Sequence, residues 1–198
     1  MTKPVWHEPL ISRTQRWNKH GLSGATVWLT GLSGSGKSTI ANELARELLN
    51  TSRLAYILDA DNLRHGLNTG LGFSDTDRAE NIRRVAEVAC LFADSGIVAI
   101  VPIISPFTAS REHARKIHTE NNLCFIEVHV ATPVDECERR DTKGLYAKVR
   151  SGEMKGLSGV DSVYEPPKSP EVVVGANKET LEQSVAMIMT KLLTKAGK

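Results

Sequence analysis

The stretch Val27 to Thr39, VWLTGLSGSGKST, limits the folds open to this chain more than any other. Its apolar start, Val27, Trp28 and Leu29, reads as a buried strand. Gly31, Leu32, Ser33, Gly34, Ser35, Gly36, Lys37 and Ser38 then match the phosphate-binding pattern GxxxxGK[ST]. Behind it, Ile40, Leu44, Ala45 and Leu48 recur at helical spacing. The motif therefore lies between a strand and the first turn of a helix, where its chemistry requires it. Glycines let the backbone wrap closely around a phosphate with amide N–H groups pointing inward, and the helix N-terminus adds partial positive charge. Lys37 reaches the β- and γ-phosphates, and the Ser38 hydroxyl is a ligand for Mg²⁺. The motif establishes a nucleoside triphosphate and leaves its fate open.

The 198 residues suit one domain, and an apolar content of 40% suits a sizeable core. A net charge of +2, mixed along the chain, argues against nucleic acid or an anionic membrane as the main partner. No apolar run has the length of a membrane span, and MTKPVWHEPL lacks the apolar centre of a signal peptide. Cys90, Cys124 and Cys137 have no metal-like spacing, and their odd number reads as reduced thiols in the cytoplasm.

In order, residues 1–24 read as a polar, irregular arm before a domain at 25–198. Trp6 and Trp17 on that arm need covering, either by their own domain or by a partner subunit in a homodimer. Strands are expected at 25–30, 54–58, 97–104, 123–130 and 172–174, with helices at 37–50, 75–96, 108–121, from Pro133, and at 178–195. This alternation predicts a three-layer α/β P-loop kinase fold, with a parallel sheet and helices on both faces. Asp59 and Asp61, two apart on an extended strand, should converge at its carboxyl end beside the phosphate loop. There they suit a Mg²⁺ ligand and a general base for a hydroxyl, or else a solvated turn and a helix cap. Strand 97–104 carries no Asp, so this pair must supply the usual metal carboxylate. Arg64 and Arg78 are candidate anion clamps, and Asn81 shares a helix face with Arg78. Residues 141–167, rich in Gly, Lys and Arg, read as a mobile lid. Asn177 to Thr180 mimics a guanine-reading NKxD box without its carboxylate, so GTP is discounted.

Together these residues closely resemble the adenylyl-sulfate (APS) kinase family. The resemblance runs from Trp6-His7 through Gly31–Thr39, DNLRHGLN (61–68), LGFS (71–74), DRAENIRR (77–84), ISPF (104–107), RRD (139–141), KGLY (143–146) and GVDSVYE (159–165). It implies transfer of phosphate from ATP, with Mg²⁺, to the ribose 3′-hydroxyl of APS, giving PAPS in sulfate activation. It implies ATP contacts along Gly31–Thr39 and at Arg139, and metal contacts at Ser38 and Asp59. For the substrate it implies Arg64, Arg78 and Asn81 on phosphosulfate and ribose, and Phe73 on adenine. It places Lys143 in the lid near the transferred phosphate, and Ser105 where the family is assigned a phosphoserine intermediate. No His or Lys adjoins Ser105 in sequence to activate it. Direct in-line transfer, with Asp61 as base and Lys37 plus Mg²⁺ neutralising charge, needs fewer assumptions, and Ser105 then hydrogen-bonds the substrate.

Two departures stand out. Asp59-Ala60-Asp61-Asn62 replaces the family's usual DGDN. Lys155-Gly156-Leu157-Ser158-Gly159 replaces KGFTG, whose aromatic closes on the APS adenine; Leu157 packs without ring stacking, which predicts weaker APS affinity than in a Leu157→Phe variant. The alternatives are another small-molecule P-loop kinase, acting on a sugar, shikimate or a nucleoside, or a non-catalytic nucleotide-binding domain. The latter should have lost Lys37 or the Asp pair.

Overall fold

The computed structural model describes residues 4–196; residues 1–3 of the arm and 197–198 of the domain lie outside it. Five parallel strands form one sheet in the order β2-β3-β1-β4-β5. They are β1 (Ala25–Thr30), β2 (Ala55–Ile57), β3 (Val98–Pro102), β4 (Cys124–Val130) and β5 (Val172–Val174). β1 is central and buried along its whole length, as expected of a parallel strand covered on both faces.

Alternation along β1 sends its side chains into two layers. Val27 and Leu29 join Ile100, Ile126 and Val128 against Ile40, Leu44 and Leu48 of α2 (Lys37–Asn50) and Val185, Ile188 and Leu192 of α8 (Leu181–Ala196). Trp28 faces the other way, with Ala99, Val101 and Phe125, against Ile82, Val85, Ala86 and Ala89 of α4 (Asp75–Ser95) and Ala114 of α5 (Thr108–Glu120). Thr26 shares that side. His118 Nδ1 donates to the Ala114 carbonyl at 2.8 Å, so its Nε2 accepts from the Thr26 hydroxyl at 2.7 Å. Because every strand runs parallel, their carboxyl ends open together, and the functional loops meet there.

Three expectations change. The arm is not irregular throughout. Ser12 and Gln15 form a reciprocal capping box and Gly21 ends the helix left-handed, giving α1 (Arg13–His20). Trp17 of α1 packs beside Cys90, Ala93 and Leu123 and donates to the Asp94 carbonyl, so its own domain covers it; Trp6 stays exposed. Strand two ends early, since Asp59 is the N-cap of a one-turn helix, α3 (Ala60–Leu63), and Asp61 is helical rather than extended. Lastly, Pro133 caps α6 (Val134–Arg140) instead of opening it.

Candidate active site

The phosphate loop is shaped by close approaches that admit no side chain. A Cβ on Gly31 would lie 2.5 Å from the Val130 carbonyl oxygen of β4. One on Gly34, whose φ is +74°, would lie 2.9 Å from the Cys137 carbonyl oxygen of α6. α2 starts at Lys37, directly behind the loop, with its N-terminal amides toward the cleft mouth.

Lys37 is folded back on the loop, donating to the carbonyls of Gly31 at 3.0 Å and Leu32 at 2.7 Å. Burial pushes its ammonium down to about 8, with Lys143 adding to the shift and Cys137, then Asp61 and Asp59, opposing it only in part. A bound triphosphate favours the charged form and raises that value. Binding then takes up a proton wherever pH lies between the empty and bound values. Nucleotide affinity should be flat below about pH 7 and fall as pH rises through about 8, approaching tenfold per pH unit. Calorimetric titration of the nucleotide across that range checks this; affinity independent of pH up to 9.5 would refute it.

One cleft of about 320 Å³ joins the loop to the other candidate residues. Ser33, Gly34, Gly36, Lys37, Ser38 and Thr39 line one side, and Asp59, Asp61, Arg64, Phe73, Arg78, Asn81, Ser105 and Lys143 line the rest. Asp59 spends Oδ1 on the backbone N–H groups of Asp61 (2.9 Å) and Asn62 (3.3 Å), so the cap reading of this residue is realised. Its Oδ2 stays toward the loop, accepting from the Ser38 hydroxyl at 3.4 Å. Two hard oxygen donors beside a phosphate site fit Mg²⁺, which takes few protein ligands and completes its shell with phosphate and water.

The wall opposite the phosphate loop is built from α3, the loop after it and α4. Ser74 caps α4, so Arg78 and Asn81 sit in its first two turns. Arg64 donates to the carbonyls of Leu71 and Gly72, both at 3.0 Å, and its guanidinium stacks 4.5 Å from the Phe73 ring centroid. Buried Asn68 donates to Asn81 Oδ1 at 3.0 Å, leaving the Asn81 amide nitrogen as the unspent group of a cleft-lining residue.

The segment expected to be a lid shares a small core with α6. Tyr146 of α7 (Leu145–Arg150), Cys137 and Leu157 cluster beside Leu32 of the phosphate loop, and the Tyr146 hydroxyl donates to the Ser33 carbonyl at 2.9 Å. Asp161 accepts from the N–H groups of Gly156 and Leu157. Residues 143–158 meet the Asp61 and Arg78 wall through a Lys143–Asp61 ion pair, and through Arg78, which donates to the Gly156 carbonyl at 2.7 Å and the Ser158 hydroxyl at 3.1 Å.

Five expected site residues do not line the cleft: Gly31, Leu32 and Ser35 of the phosphate loop, and Arg139 and Leu157. Arg139 is exposed and bidentate on Glu136; its neighbour Arg140 lines the cleft instead, because one residue turns a helix by about 100°. Leu157 is buried in the lid cluster rather than lining the cleft. A Leu157→Phe change should therefore overpack that cluster and lower the unfolding midpoint, at a cost of about 1–3 kcal/mol, rather than tighten APS binding. Urea unfolding and APS titration of the variant check this; unchanged stability with tighter APS binding would restore the stacking expectation. Residues that the sequence did not single out include Asn68, Arg140 and Thr142.

Comparison with known proteins supplies the family. The adenylylsulphate kinase family model matches residues 23–175. An adenylyl-sulfate kinase of Clostridium kluyveri is 52% identical over 194 residues, covering 98% of this chain and 96% of the relative. That of Clostridium acetobutylicum is 49% identical, covering 96% and 94%. Among solved structures, the Mycobacterium tuberculosis APS kinase in complex with AMPPNP and APS superposes with a TM-score of 0.83 at 48% identity, covering 86% of this chain and 98% of that one. A hexameric APS kinase from Thiobacillus denitrificans matches with a TM-score of 0.66 at 31% identity, covering 87% of this chain and 29% of the other. A phosphate loop and a carboxylate-bearing acceptor wall in one cleft, with identity near one half over almost the full length, lead to one conclusion: this chain belongs to the adenylyl-sulfate kinase family.

Proposed function

We propose that this cleft transfers the γ-phosphoryl group of ATP to the ribose 3′-hydroxyl of APS, giving PAPS and ADP. The observation that carries the reading is the single cleft, with Lys37 on one wall and Asp61, Arg64, Phe73, Arg78 and Asn81 on the other. Phosphoryl transfer leaves the protein little covalent chemistry, so positioning and electrostatics supply the rate. Loop amides and Lys37 hold the triphosphate and neutralise charge on the transferred group. Ser38 and Asp59 would hold Mg²⁺, which screens the phosphate oxygens from one another when bound. Asp61 takes the proton of the 3′-hydroxyl as it attacks. Arg64 and Arg78 suit the anionic phosphosulfate, and the exposed Phe73 ring suits a purine face. Lys143, paired with Asp61 in the closed lid, moves onto the phosphates when nucleotide enters.

A panel of acceptors with ATP tests this: APS, shikimate, gluconate and adenosine, each compared by kcat/KM. APS should exceed every other acceptor by at least about a thousandfold, since a site built to hydrogen-bond one acceptor strongly rejects ligands that leave its groups unpaired. Comparable use of a sugar would favour the other small-molecule kinase reading.

Val5, Trp6, Leu10 and Ile11 are exposed on the arm and support a homodimer in which a second copy covers them. Light scattering gives the mass; a monomer at micromolar concentration would exclude it. No helix among the described residues is long and apolar enough to cross a membrane. The free thiols of Cys90, Cys124 and Cys137 support a reducing, cytoplasmic setting.

A further inference from the structure

We propose that Trp28 is a positioning residue that turns Ser105 into a dedicated hydrogen-bond donor to the acceptor nucleotide; this rests on the reading of the cleft as an APS kinase site. Trp28 is wholly buried on β1, and its indole Nε1–H donates to Ser105 Oγ at 3.1 Å. Ser105 follows β3, the strand between β1 and β2, and so sits where the phosphate loop meets the acceptor wall.

The serine is held by more than the indole. Its φ is +41°, a left-handed conformation that costs a non-glycine residue energy and persists only where its surroundings impose it. Arg111 Nη1 donates to the Ser105 carbonyl at 2.7 Å. Arg111 is itself locked, donating from Nε to Glu127 at 2.9 Å and from Nη2 to the Glu165 carbonyl at 2.7 Å. On the other side, the Thr30 hydroxyl donates to the Ile104 carbonyl at 2.6 Å. These bonds fix the backbone, and the indole then fixes the side chain.

The hydrogen-bond inventory gives the direction. A serine hydroxyl has one proton and two lone pairs, whereas an indole only donates. Trp28 therefore occupies a lone pair, and the Ser105 proton has no acceptor within bonding distance among the described residues. A buried serine lining the cleft with a spent lone pair and an unspent proton suits an oxygen of the bound acceptor. The same arrangement opposes a nucleophilic role, because the indole draws on the oxygen lone pairs and no base adjoins the proton. If the bond served only to satisfy the indole, Ser105 would need neither the left-handed backbone nor its place in the cleft wall.

Trp28→Phe keeps the aromatic packing and deletes the donor, and Ser105→Ala deletes the acceptor. Each should raise the KM for APS about tenfold and leave the KM for ATP within about twofold, the loss of one hydrogen bond to a charged ligand. The double variant should be no worse than Ser105→Ala alone, since both remove the same interaction. Additive losses, or either single variant with an unchanged KM for APS, would overturn the proposal. Should Trp28→Phe fail to fold, indole ¹H–¹⁵N spectra decide. The Trp28 resonance of the native protein should shift on adding APS and should not do so in Ser105→Ala; no APS-dependent shift in the native protein refutes the idea. A native enzyme inactive on APS would sink the functional reading itself, whereas an active native enzyme with unaltered variants sinks only this inference.

Discussion

Replacing Lys37 by methionine should lower turnover about a thousandfold, the scale for removing a preorganised charge aimed at a transition state. The side chain is buried against the loop, and its ammonium donates to the carbonyls of Gly31 and Leu32. Methionine keeps the apolar stem and deletes the charge, so the loop keeps its filling. The fold should survive, because α2 is anchored elsewhere by Ile40, Leu44 and Leu48. Steady-state rates together with a thermal unfolding curve check the effect. A variant within tenfold of the native rate would remove Lys37 from the chemistry.

The second large effect is expected at Asp61. Asp61→Asn should cut kcat about a hundred- to ten-thousandfold, the range for a positioned general base, with little change in the KM for ATP. Stability should barely move. The ion pair to Lys143 joins two side chains that are 64% and 61% exposed, and such pairs contribute roughly 0–1 kcal/mol. Asparagine also fits the first turn of α3 as well as aspartate does. Rate against pH on the native protein and the variant separates a proton acceptor from a mere electrostatic partner. A variant retaining a third of the native rate would show that the hydroxyl is activated by some other group.

Much of this was readable from sequence, for physical reasons that also explain the errors. β1 and α2 were legible because the loop between them tolerates so little variation: Gly31 and Gly34 sit against backbone oxygens of β4 and α6. α4 was legible from its stripe of Ile82, Val85, Ala86 and Ala89, with Ser74 and Gly96 at its ends. α1 was missed because it buries no residue fully and so shows no apolar period; its caps hold it, and the Ser12–Gln15 spacing was the available signal. The Gly, Lys and Arg content of residues 141–167 hides a core made of only a few residues, Tyr146 and Leu157 with Cys137 of α6. At Asp61 a strand and a one-turn helix differ by the single cap at Asp59, whose side-chain bonds alternation does not reveal. The choice between Arg139 and Arg140 hangs on the phase of a seven-residue helix, and a one-residue error at its start reverses it.

Direct transfer across one cleft makes a single prediction about phosphorus. With ATP made chiral at the γ-phosphorus and APS as acceptor, one in-line displacement inverts the configuration, whereas two displacements through Ser105 retain it. The geometry of Lys37, Asp61 and the indole-bound Ser105 predicts inversion; retention would contradict it and put a covalent phosphoserine on the path.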